Sequence, residues 1–115
     1  MARRIEDIAA AIFMLNPSSA DYRIEDGVIT SVWDADGNAV TWDADAVNAK
    51  ADEIALSNLR SLRNLRLMES DWTQGADSPL SDTEKAAWAT YRQQLRDIMT
   101  SGATHEDDVV WPTKP

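Results

Sequence analysis

An α+β fold is expected from three features of this 115-residue sequence. An apolar stripe at helical spacing lies near the start, a segment of β-branched and aromatic residues broken by Asp-Gly turns follows, and two further helical stripes flank a loop containing Gly75 and Pro79. The order reads as an N-terminal helix plus a short antiparallel meander, a long connecting helix and a C-terminal αα-hairpin. Residues 1–45 are expected to form the helix and meander subdomain and residues 46–115 the helical hairpin. With 43% hydrophobic and 27% charged residues, the chain can bury a core and is not disordered by composition.

The first helix is expected from Arg4 to Leu15, because Ile5, Ile8, Ala9, Ile12, Phe13 and Leu15 share one face and Asn16-Pro17 stops it. Tyr22, Ile24, Val28, Ile29, Val32, Trp33, Val40 and Trp42 then read as three strands, with turns at Asp26-Gly27 and Asp36-Gly37-Asn38. Thr41 is the expected N-cap of the long helix, placing Asp43 and Asp45 in its first turn, where the helix dipole favours negative charge. That helix should run to Met68, with Val47, Ala51, Ile54, Ala55, Leu59, Leu62 and Leu65 on its apolar stripe. Arg60, Arg63 and Arg66 recur every third residue as a basic ridge beside it. Ser81-Asp82-Thr83-Glu84 is a capping box opening the last helix, whose stripe is Trp88, Tyr91, Leu95 and Ile98 and whose stop is Gly102. Beyond it, an acidic tail turns apolar at Val109, Val110 and Trp111 and can fold back across the hairpin.

Several chemistries have no support in the residues. No cysteine is present, so disulfides, thiolate zinc sites and cysteine nucleophiles are excluded. A net charge of -9 repels nucleic acid and anionic lipid. The apolar run Ile8 to Leu15 is too short to span a bilayer, and no signal peptide is expected. His105, the single histidine, stands in the run Glu106-Asp107-Asp108, which reads as a mobile acidic tail with no framework to fix a metal. Asp34, Asp36, Asn38 and Asp45 have some of the spacing of a calcium loop. Their glycine is two places early, however, and strand stands where a helix would be needed, so a hairpin turn explains the same residues. No serine has an elbow motif and no glycine loop could cradle a phosphate. No catalytic residue, metal or cofactor is assigned.

One ordered series is more specific. It comprises Arg63-Asn64, Leu67, Ser70-Asp71-Trp72-Thr73-Gln74, Asp77-Ser78-Pro79-Leu80-Ser81, Lys85, Trp88, Tyr91-Arg92-Gln93, Leu95-Arg96-Asp97-Ile98, Val109 and Trp111-Pro112. From Arg63 to Pro112 the chain resembles the phage tail assembly chaperone domain, a small helical module of tail-fibre assembly proteins and free-standing phage tail proteins. Arg66 stands where that family usually has a second leucine, and the aromatic-proline pair before the terminal Trp is absent.

The resemblance implies a bacteriophage tail accessory protein that acts in the host cytoplasm and binds a tail-fibre or tail-tip protein. The alternatives are a permanent structural adaptor of the virion tail and a calcium-binding module. Ser70, Asp71, Trp72 and Trp88 are expected to be the motif core. Trp72 should fold between the two helices, with Asp71 holding Arg92 or the loop amides. Tyr91, Arg92 and Trp111, with Arg60, Arg63 and Arg66 beside them, are the expected partner surface, since Trp, Tyr and Arg dominate interface hot spots. The long helix is also a candidate for self-association.

Overall fold

The computed structural model describes residues 3–115. The α+β expectation holds: helix α1 (Ile5–Leu15) leads into a hairpin of β1 (Ser19–Glu25) and β2 (Val28–Asp34), followed by the long helix α2 (Ala44–Ser70), a 3-10 turn (Asp71–Gln74) and α3 (Asp82–Asp97). The chain divides into two compact units, residues 1–55 and residues 56–115, and the division falls within α2.

In the first unit, β1 and β2 pair antiparallel through Glu25 and Val28. Their two-residue turn uses Asp26 at φ 52 and Gly27 at φ 77, the left-handed conformations that match the strand twist and that Asp and Gly tolerate. The expected third strand shrinks to one bridge between Trp33 and Ala39, with the Val40 amide donating to the Val32 carbonyl at 2.8 Å. Two local demands on the backbone explain this. Asp34 Oδ1 accepts from the Asp36 and Asn38 amides, both at 2.9 Å, closing the turn at Gly37. A few residues later the chain must already enter α2.

Asp43, rather than Thr41, supplies the cap of α2. Its Oδ1 accepts from the Asp45 amide at 2.9 Å and the Ala46 amide at 3.3 Å, while its carbonyl accepts from Val47. Asp43→Ala is therefore expected to cost about 1 kcal/mol, read as a lower urea midpoint, whereas Thr41→Ala should leave the midpoint in place.

Ala11, Ile12, Ile29, Val32, Val47 and Ala51 form the core of this unit, with Phe13 and Tyr22 edge-to-face at 5.9 Å on its border. A bidentate pair from Arg3 to Asp52, at 2.8 and 2.9 Å, ties the start of the described chain to α2.

The second unit is built on a different cluster: Leu59, Tyr91, Leu95 and Ile98, with Leu67, Trp88, Val109 and Trp111 packed against it. Of the expected α2 stripe, Leu59 is buried in this cluster and Leu65 is 45% exposed, while Leu67, outside that stripe, packs against the cluster. The capping box of α3 forms as expected: the Glu84 amide donates to Ser81 Oγ and the Ser81 amide to Glu84 Oε1, each at 3.1 Å. The bond from the Ser81 amide holds the Glu84 carboxyl below its ordinary pKa. After α3 and a 3-10 turn (Ile98–Thr100), Gly102 at φ 88 reverses the chain and releases the tail back toward the cluster.

Candidate functional site

The motif residues converge where α2 ends. A helix C-terminus leaves carbonyls without intrahelical donors, and here a side chain from α3 supplies them. Arg92 Nη1 donates to the Leu67 carbonyl at 2.6 Å and to Ser70 Oγ at 2.7 Å, while Nη2 donates to Asp71 Oδ1 at 2.7 Å. Ser70 Oγ lies 2.9 Å from the Arg66 carbonyl and 3.1 Å from that of Leu67, so its hydroxyl serves the same helix end. The expected contact between Asp71 and Arg92 is present.

Arg92 and Tyr91 were expected at a partner-facing rim, and both are buried, at 9% and 2% exposure. Helix geometry explains the correction. Positions 88, 91, 92 and 95 share one side of α3, and that side faces the cluster and the free carbonyls of α2. Tyr91 packs edge-on to Trp88 at 5.5 Å and with an interplanar angle of 90°.

Trp72 also departs from expectation, being 54% exposed rather than folded between the helices. The 3-10 turn has three residues per turn, so Ser70 and Thr73 both point inward and Trp72 points out. Thr73 is fully buried and its hydroxyl donates to the Ser70 carbonyl at 2.7 Å. Gln74 Nε2 reaches the Lys85 carbonyl at 3.0 Å, tying the loop to α3. Within the Ser-Asp-Trp-Thr-Gln run, then, Ser70, Asp71, Thr73 and Gln74 hold the backbone together. Trp72 makes a tilted ring contact with the half-buried Trp88, their centroids 6.2 Å apart and their planes at 56°. Thr73 and Gln74 were legible only as motif letters, since nothing in their spacing announces these bonds.

The three arginines of the ridge do not form one surface. Each step of three residues turns the position by about 60°, so Arg60, Arg63 and Arg66 spread around the helix. Arg60 is exposed, Arg63 Nε donates to Asn64 Oδ1 at 2.8 Å, and the Arg66 guanidinium lies 4.0 Å above the Trp111 ring. The tail does fold back. Trp111 packs on the cluster and takes Arg66 on its other side, a contact a leucine at position 66 could make only as an apolar one. Between α3 and the tail lies a groove of about 510 Å3 lined by Gln94, Ile98, Ala103 and Val109 among others, with Val110 on its lip.

The acidic run is an anchor and not a mobile tail. His105 is 5% exposed, with its Nδ1 2.8 Å from Thr104 Oγ1. Asp108 Oδ2 accepts from the Thr104 and His105 amides, both at 3.2 Å, closing a 3-10 turn (Glu106–Asp108). An acid three places after His105 has the spacing of a cap, and that was the available signal. These donors, the Thr104 amide first, hold the Asp108 carboxyl below its ordinary pKa of 3.8.

A carboxylate lowered by folding stabilises the protein fully above its unfolded pKa and loses that contribution as pH falls through the folded value. Wild-type melting temperature is therefore expected to drop more steeply below pH 3.8 than that of Asp108→Ala. Parallel pH profiles would show that the turn does not form in solution.

The charge of the chain is unevenly divided. Residues 1–55 carry eleven acidic and four basic side chains, and residues 56–115 nine acidic and seven basic. The second unit is thus nearly balanced and need not select a basic partner. Among the described residues no group of three or more His, Cys, Asp or Glu is placed to hold a metal, and no helix is long and apolar enough to cross a membrane.

A family model described as phage tail assembly chaperone protein matches residues 56–115, the whole of the second unit. The chain belongs to the phage tail assembly chaperone family. No curated protein and no solved structure matches it. The family match begins at Leu56, so it takes in the Arg92 node, the Trp72 to Tyr91 aromatic row and the folded-back Trp111 of this tail assembly chaperone.

Proposed function

We propose that this protein binds a tail-fibre or tail-tip protein in the host cytoplasm during assembly, covering apolar surface of that client until the client is incorporated, and that it does so without catalysis. The observation that carries this reading is the family match over one complete compact unit. A unit of this size has little surplus stability from one core, and a client contributes to it by mass action.

The client face proposed is the rim formed by Trp111, Arg66 and the fully exposed Val110. Arg60 and Arg63 add basic charge on the helix that carries Arg66, Tyr91 lies in the cluster on which Trp111 packs, and Arg92 holds the end of that helix. A half-buried Trp under an Arg presents a rigid ring with directed donors around it, the composition of an interface anchor.

Co-expression with the neighbouring tail genes and purification on this chain tests the proposal. A tail-fibre or tail-tip protein is expected to co-purify, and Trp111→Ala should speed its dissociation while the fold persists. Arg60→Glu combined with Arg63→Glu should slow association and weaken its salt dependence. Finding the chain at fixed stoichiometry in finished virions would favour a structural adaptor instead, and failure to recover any tail protein would remove the chaperone reading.

A further inference from the structure

The groove between α3 and the returning tail differs in charge from the rest of the second unit. Among the described residues Asp97 and Asp108 are the only charged side chains that line it, beside the apolar Ile98, Ala103 and Val109, although the unit as a whole carries nine acids and seven bases. Each carboxylate uses one oxygen to hold the fold. Asp97 Oδ1 accepts from Gln93 Nε2 at 2.9 Å, and Asp108 Oδ2 accepts from the Thr104 and His105 amides, both at 3.2 Å. The other oxygen of each has no protein partner among the described residues. Helix α3 also ends at Asp97, and the carbonyl end of a helix adds partial negative charge around its last turn.

The lip of the groove is an extended backbone. Val109 sits at φ -98 and ψ 128, Val109 and Trp111 pack on the cluster, and Val110 between them is 96% exposed, which is the alternation of a strand. Among the described residues the Val110 and Trp111 amides donate to no backbone carbonyl. An edge of this kind pairs with another extended backbone, and Pro112, which has no amide hydrogen, limits the pairing to a few residues.

We propose that this groove takes a lysine or arginine of the client, carried on an extended segment beside residues 109–111, with its carbon stem against Ala103 and Val109 and its charge at Asp97 and Asp108. The proposal rests on the client reading above and names the chemistry that the client must bring. The lining selects the occupant. An acidic side chain would be repelled, and an apolar one would strip water from two carboxylates and return no hydrogen bond. A basic side chain lays its stem on apolar atoms and delivers its donors to the open oxygens. Arg66 does not line the groove, so it does not neutralise these acids.

The capped peptide Ac-Val-Arg-Val-amide, titrated into the nitrogen-labelled full chain, tests the groove. Saturable amide shifts are expected at Asp97, Ile98, Ala103, Val109 and Val110. Replacing the arginine by citrulline, which keeps the stem and the hydrogen bonds but not the charge, should weaken binding about two- to fivefold, as loss of one partly exposed ion pair does. Asp97→Asn should have an effect of the same size. Asp97→Lys should bind the peptide too weakly to saturate while keeping wild-type helicity and melting temperature, because a cation suits a helix C-terminus. In the co-expression experiment, Asp97→Lys is expected to lose the client that the wild type retains.

Equal affinity for the arginine and citrulline peptides overturns the proposal, as do shifts confined to other residues or no binding at all. A client held by Asp97→Lys as firmly as by the wild type overturns it while leaving the chaperone reading in place. A wild-type chain that recovers no tail protein removes both. Shifts of the groove amides that grow with concentration in the chain alone would give the groove to a second copy and overturn the assignment to a client.

Discussion

Arg92→Ala is expected to destabilise the second unit by about 2 to 4 kcal/mol, enough to lower its melting temperature by roughly 10 to 25 °C. The bond to Asp71 accounts for little of this, because the Asp71 side chain is 63% exposed and water replaces its partner. The larger part comes from the Leu67 carbonyl and Ser70 Oγ, which lose a charged donor at the end of a helix inside the unit. Arg92→Lys separates the two contributions. An ammonium keeps the charge but cannot span three acceptors as the planar guanidinium does, so most of the loss should remain. Unfolding followed by circular dichroism, with Arg96→Ala as an exposed control, measures it. A shift for Arg92→Ala no larger than for Arg96→Ala would mean that the α2 terminus is held by something else.

Tyr91→Ala should cost about 3 to 5 kcal/mol, since the ring fills the centre of the second cluster and is the largest fully buried side chain of the protein. Tyr91→Phe should behave in the opposite sense. The Tyr91 hydroxyl is buried with no hydrogen-bond partner among the described residues, so its desolvation is uncompensated. Removing it is expected to leave the denaturation midpoint unchanged or raise it by about 1 kcal/mol equivalent. A midpoint that falls in Tyr91→Phe would show the hydroxyl bonded in solution and would place Tyr91 in a polar network. Paired with Arg92→Ala, these variants show whether the two motif residues act by supporting the unit, as their burial indicates, or by touching a client.

The helices were legible because their signals are local. Asn16-Pro17 ends α1 and the Ser81 to Glu84 box opens α3 where expected, since capping needs only residues three or four apart. The third strand was misjudged because β pairing is decided by neighbours, and the turn built on Asp34 and the cap built on Asp43 together leave room for a single bridge. Thr41 lost the cap to Asp43 within the range over which helix boundaries are ambiguous in sequence.

The site divides along the same line. The ordered motif from Ser70 to Ile98 carried the family, and residue types alone excluded thiol chemistry and made a partner surface of Trp, Tyr and Arg reasonable. Which of those side chains face outward is a matter of helix phase and of what lies across the unit. A 3-10 turn following α2 rotates Trp72 out and Thr73 in. The need of α2 for donors draws Arg92 inward, Tyr91 goes with it, and Arg66 closes over Trp111 only because the tail returns past Gly102. Composition and spacing determined the elements, their order and the family, because each of these depends on short-range preference. Exposure at Trp72 and burial at Arg92 and His105 were decided only by tertiary structure, because each depends on which groups distant in sequence must satisfy one another once water is excluded.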